Sequence, residues 1–179
     1  MANHSDPQES KMQTARSADS FRLTAALNRH LSWLFSEPGG VRLNISKMTF
    51  SGLELANPVF AKSVMLEVAF HDCRLPGVSF ADATITSGSF DGSYLRGGNF
   101  SRAYLVKSSF RGVDAEGADF TKADLQGVDF RGANLRGAKL AGAVLYNADF
   151  RDADLRGIDP TGVHFGGAKL AGALRDDAP

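Results

Sequence analysis

A large apolar residue stands at every fifth position of this chain, in one register from Ile45 to Leu170. Phe and Leu alternate through much of the run, and only Ala115 and Pro160 break it. Eleven of the thirteen phenylalanines lie on this grid; Phe21 and Phe35 precede it. A period of five fits neither an α-helix at about 3.6 nor a flat strand at about 2. It demands a backbone that turns a corner every five residues and winds around itself as a solenoid.

Each place in the five-residue unit has its own chemistry. With the apolar position as centre, the residue two before it is small and mostly uncharged, as at Val68, Cys73, Ala83, Ala118 and Ala123. Alternation on a short strand points both inward. The residue two after the centre is Gly in fourteen of twenty-six units, with Asn57, Asn147, Asp72, Asp82 and Asp152 in the same slot. That pattern marks a corner with positive φ, as in a type II turn. The residues on either side of the centre carry most of the charge and face water.

Three parts follow. Residues 1–18 are polar and aperiodic, the composition of a disordered tail. A helix is expected over 19–37, opening at Asp19 or Ser20 and closed by Pro38-Gly39-Gly40. Its stripe of Leu23, Leu27, Leu31 and Leu34, with Phe21, Trp33 and Phe35 beside it, must lie on something. The repeats occupy 41–174 and leave a charged tail at 175–179. Twenty basic and twenty acidic residues cancel, and Cys73 is the sole cysteine. With no disulfide framework, signal peptide or membrane-length apolar run, a cytoplasmic location is expected.

Ala118-Asp119-Phe120, Ala133-Asn134-Leu135-Arg136-Gly137 and Ala153-Asp154-Leu155-Arg156-Gly157 resemble the repeat of the pentapeptide-repeat family. The resemblance covers about three quarters of the chain. It implies an all-β solenoid, a right-handed quadrilateral β-helix of about six to seven coils, four pentapeptides to a coil and coils about 4.8 Å apart. The N-terminal helix then caps the first coil, since the ends of a solenoid need covering. Folded on twenty residues, one inner column reads Phe50, Phe70, Phe90, Phe110, Phe130, Phe150. The opposite column reads Phe60, Phe80, Phe100, Phe120, Leu140. Ala115 is the weak rung of an aliphatic column, with Val113 refilling part of its space.

No catalytic, cofactor or metal site is expected. His71-Asp72-Cys73 invites attention, but Cys73 points inward, His71 outward, and Asp72 sits at a corner, so no nucleophile–base pair can form. No metal-ligand spacing or phosphate-cradling loop is present. Function then falls to the outer faces. One displays Val64, Leu66, Tyr104, Val106, Val144 and Tyr146 among threonines, the pattern of a protein contact. The next carries Arg111, Arg131 and Arg151 one coil apart, with Asp129 and Asp149 between them to neutralise a phosphate-gripping ladder. Direct nucleic-acid binding is therefore not expected.

The reading is a non-enzymatic protein–protein interaction or scaffold module presenting flat faces. Its partner is another protein, with self-association as a homodimer through the apolar face or the C-terminal coil as one form. The family resemblance adds an alternative: a DNA-mimicking protection protein of the quinolone-resistance type, whose partner is a topoisomerase such as gyrase. Against that alternative, residues 41–179 hold sixteen basic and sixteen acidic groups with no acidic column. The register also leaves no room for projecting loops.

Overall fold

The computed structural model describes residues 7–176, with side chains from Phe21 onward. Helix α1 spans Pro7–Leu34. Five short strands follow: β1 (Asn44–Ser46), β2 (Thr49–Ser51), β3 (Val64–Leu66), β4 (Ala69–His71) and β5 (Thr84–Thr86). They pair in parallel at twenty-residue steps, Ile45 with Met65 and Met65 with Ile85, and Phe50 with Phe70. Single-residue bridges continue the same step up all four sides, from Glu54 with Arg74 to Asp154 with Leu174. The chain is a right-handed quadrilateral β-helix capped by an N-terminal helix. No helix among the described residues is long and apolar enough to cross a membrane.

Two sets of backbone hydrogen bonds build each coil. Phe90 N–H donates to Ser109 in the next coil at 2.7 Å, and Tyr94 N–H to Cys73 in the previous one at 2.8 Å. Most corners are closed by a bond such as Ala103 N–H to Phe100 O, 3.1 Å, whereas the Cys73 and Gly88 N–H groups donate instead to Ser93 Oγ and Ser108 Oγ. The second corner residue has positive φ at all twenty-six corners, fourteen of them glycine and twelve not. This is the geometry of a type II turn, and it holds even where Lys, Arg or Glu occupies the corner.

Inside, the two phenylalanine columns stack as read from the sequence. Ring centroids lie 5.6 Å apart for Phe70–Phe90 and 4.6 Å for Phe90–Phe110; in the second column, Phe60–Phe80 and Phe100–Phe120 are both 4.8 Å apart. The columns also meet edge to face across the axis, Phe80 against Phe90 at 5.3 Å. Stacked and edge-on pairs both suit the ring quadrupole. Each fully buried ring contributes about 1.5–3 kcal/mol of transfer free energy, so the rod is held by its interior. Ala115 and Val113 are both fully enclosed in it.

The N-terminal helix departs from expectation in extent and in what it buries. It begins at Pro7, so residues 7–18 are helical where a disordered tail was expected; residues 1–6 of that tail lie outside the described residues. Proline suits a first helical turn, and Gln, Glu, Lys, Met and Ala among residues 8–15 are good helix formers. The helix stops before Pro38. Ser36 adopts φ 57°, Glu37 N–H bonds Ser32 O at 2.8 Å and Ser36 N–H bonds Trp33 O at 3.1 Å. These are the paired bonds of a Schellman motif, which satisfy the last carbonyls.

The lid buries Leu23, Leu27 and His30, while Leu31 and Leu34 are half-buried and Phe21 and Phe35 lie largely in solvent. His30 takes the place expected for Leu31 because it bonds the coil beneath. Its Nδ1 accepts the Leu43 N–H at 3.0 Å, and its Nε2 meets the Ala61 carbonyl at 2.7 Å. The following chain returns close beneath the lid, so a Cβ on Gly40 would overlap the backbone of Trp33.

Candidate interaction faces

Strands β1, β3 and β5 begin the face that carries the apolar residues. Leu66, Tyr104, Val144 and Tyr146 are exposed by 43%, 43%, 44% and 60%; Val64 and Val106 are half-buried. The remaining exposed large hydrophobics among the described residues are Phe21, Phe35 and Val41 near the lid and Leu174 in the last coil. Along the sides of the rod, exposed large apolar side chains therefore concentrate on this face. The twenty-residue stacking aligns Val64, Thr84 and Tyr104, then Asp124 and Val144, in one vertical line.

The arginine ladder occupies the next face, where Arg131 and Arg151 each close on their own carboxylate and Arg111 shares that of Arg131. Arg131 reaches Asp129 through Nε at 2.9 Å and Nη2 at 2.6 Å. Arg151 holds Asp149 in the same way, at 2.9 and 2.7 Å. Arg111 lies 3.8 Å from Asp129. The two residues of each fork lie on either side of an inward phenylalanine, so the strand itself sets the geometry. Hydrogen bonding to these guanidinium groups holds the carboxyls of Asp129 and Asp149 below the usual carboxylate range. On the third face Arg156 does the same to Asp154, drawing it down to about 2. Arg96 bridges Asp114 at 2.7 Å and Glu116 at 3.1 Å. Tyr94 lies beneath the guanidinium of Arg74, 4.3 Å from its ring centre. That contact joins neighbouring coils and is invisible to a reading by fives.

The corners were read from sequence as turn residues only, and they carry a charge pattern that the spacing did not reveal. Lys47, Lys62, Lys107 and Lys122 are exposed, have positive φ, and lie within ion-pair distance of no carboxylate among the described residues. All four border the apolar face.

His71 and Cys73 do not come together. The His71 ring meets Ser89 Oγ at 2.9 Å, while the Cys73 thiol is buried and faces the carbonyls of Phe50 and His71. Burial pushes the thiol up from its usual range, opposite to what a nucleophile needs. No cluster of metal-ligating side chains occurs among the described residues. At the C-terminal end, Leu155, Ile158, Pro160, Val163 and Phe165 line a cavity of about 250 Å³.

No curated protein matches the chain. Among solved structures it is similar to QnrB1, a plasmid-mediated fluoroquinolone resistance protein, at 14% identity, covering 76% of this chain and 91% of that one with TM-score 0.44. It is also similar to HetL, a pentapeptide-repeat protein involved in heterocyst differentiation regulation in the cyanobacterium Nostoc sp. strain PCC 7120. That match has 19% identity, covers 85% of this chain and 96% of that one, and has TM-score 0.32. A third likeness is to alr5209, a pentapeptide-repeat protein of Nostoc PCC 7120, at 35% identity, 45% and 77% coverage and TM-score 0.38. The sequence profile of pentapeptide repeats matches eight copies, over residues 65–102, 99–137 and 129–159. These spans take in more than half of the chain and fall on the coils described above: the chain belongs to the pentapeptide-repeat family.

Proposed function

We propose that this chain is a non-enzymatic interaction module whose face with Val64, Leu66, Tyr104, Val106, Val144 and Tyr146 docks another protein. The observation that carries this is the clustering of Leu66, Tyr104, Val144 and Tyr146 on one side of a rod whose adjoining arginine face is closed by ion pairs. Aromatic and branched aliphatic side chains on a rigid flat surface lose little entropy on binding and bury large area. A second copy of this chain, meeting it on the same face or on the C-terminal coil, is one such partner. Tyr104→Ser combined with Val106→Ser tests the reading in the full chain. Sedimentation and capture of the bound partner should show association lost, while thermal unfolding and circular dichroism stay as in the parent. Association that survives the pair of substitutions removes the reading.

The duplex-mimicking alternative needs a continuous acidic column in place of phosphates. Asp114, Asp129, Asp149 and Asp154 each lie within ion-pair distance of an arginine. Their charge is spent within the face, and the interaction-module reading is preferred.

A further inference from the structure

The four corner columns of the rod differ in composition. Two hold only Gly, Asn and Asp, residues that adopt the left-handed conformation readily. The other two, on either side of the apolar face, hold Lys47, Lys62, Arg102, Lys107 and Lys122, all at φ between 53° and 59°. A long side chain in that conformation costs about 1–2 kcal/mol per residue relative to the right-handed one. Strain kept at chosen positions is a pointer to function, and here it is confined to the borders of one face. Arg102 is paired with Asp82 at 2.7 Å, whereas the four lysines have no ion-pair partner among the described residues. Glu67 is the one acidic corner without such a partner in the same two columns. The borders are net basic, in contrast to the self-neutralised arginine faces.

The apolar residues between those borders are also spaced. Val64 with Leu66, Tyr104 with Val106, and Val144 with Tyr146 form three apolar rungs. Thr84 with Thr86 and Asp124 with Gln126 form polar rungs between them. Apolar rungs therefore recur every second coil, about 9.6 Å apart at strand spacing. Seven residues of α-helix rise about 10.5 Å, within about 1 Å of that step. An extended strand repeats one face every two residues, about 6.6 Å, and matches neither one coil nor two. The face is also not a sheet edge, so it offers no free backbone groups for strand addition.

We infer that this face seats an amphipathic α-helix of a partner protein, lying along the solenoid axis, with an apolar residue at every seventh position and acidic residues on both flanks. The inference rests on the interface reading above and adds the partner's chemistry. The three apolar rungs take the helix seam, and the unpaired lysines at the corners meet its acidic flanks. Opposite charges at the rim set register and on-rate more than raw affinity.

The test uses the full chain and a fluorescent peptide of about 21 residues, with Leu at every seventh position and the fourth between, and Glu on the flanks. Fluorescence anisotropy should give micromolar binding that weakens with salt. Lys62→Glu with Lys107→Glu should weaken it by about tenfold, and Tyr104→Ser should weaken it comparably. The same peptide with Lys flanks should not bind. Equal binding of the Lys-flanked peptide overturns the inference, as does indifference to Tyr104→Ser or displacement of the peptide by duplex DNA. If the acidic helix fails to bind while Tyr104→Ser with Val106→Ser still abolishes native association, the helix falls and the interface reading stands.

Discussion

Val113 and Ala115 interrupt two otherwise regular columns of the core, and their volumes should be coupled. Leu95 and Leu135 lie one coil either side of Ala115 in an otherwise leucine column, while Ser93 and Ala133 flank Val113 in the small-residue column. Both side chains are fully buried, so neither can be changed without its neighbour responding. Val113→Ala should cost about 1–3 kcal/mol through the hole it leaves, and Ala115→Leu about 1–3 kcal/mol through overpacking. The double variant should restore near-parental stability, with a coupling of at least about 1 kcal/mol in thermal or urea unfolding. Additive losses would show that the two positions do not share space. The inward placement of both residues was legible in the sequence because inward positions are fixed by the five-residue count. The left-handed lysines were not legible, because Lys has no preference for positive φ and only the Gly, Asn and Asp residues in that slot signalled the turn.

The lid helix is docked through a polar latch as well as its leucines. His30 is fully enclosed, with Nδ1 accepting from Leu43 and Nε2–H donating to Ala61, so the bound form is the neutral Nε2–H tautomer. Burial lowers its pKa below the ordinary value, with the nearby Arg42 charge adding to that effect. A lowered histidine pKa means the native state prefers the neutral ring. Its contribution is fully present above about pH 6.5 and is lost as pH falls through the folded-state value. A protonated Nδ1 would point a hydrogen at the Leu43 N–H. Trp33 stacks on His30 at 5.6 Å and is the only tryptophan, so its emission reports on the latch. As pH falls below about 6.5 the Trp33 emission should change with a midpoint under that value, and His30→Gln should abolish the transition. Emission that stays flat until the chain unfolds would refute the latch. The sequence placed a helix here from leucine spacing but chose Leu31 over His30. A count of apolar residues cannot see that the first coil presents a backbone donor and acceptor needing partners.

Among the described residues the rod is asymmetric: a helix lies over its first coil and none over its last. Repeat folds gain stability from each coil's contact with its neighbours, so an exposed terminal coil is where unfolding starts. Pro160 deepens that asymmetry. It stands in the column of Phe100, Phe120 and Leu140 but lies exposed, beside the cavity lined by Leu155, Ile158, Val163 and Phe165. The rungs that would join 139 to 159 and 144 to 164 are missing from the ladder. Gly142 and Asn147 bond Gly162 and Gly167, one residue beyond the step kept elsewhere. A fixed φ at Pro160 and the restriction it places on Asp159 account for the slip. Asp176 ties the end back by accepting the Gly157 N–H, and residues 177–179 of the charged tail lie outside the described residues. Pro160→Leu supplies an inward side chain for the cavity and frees residue 159 to pair with Lys139. It should add about 1–3 kcal/mol and raise Tm by several degrees, and hydrogen exchange at Leu140 and Leu145 should slow. An unchanged Tm with unchanged exchange at those two amides would mean that the open end is set by the chain beyond Pro160 and not by the proline.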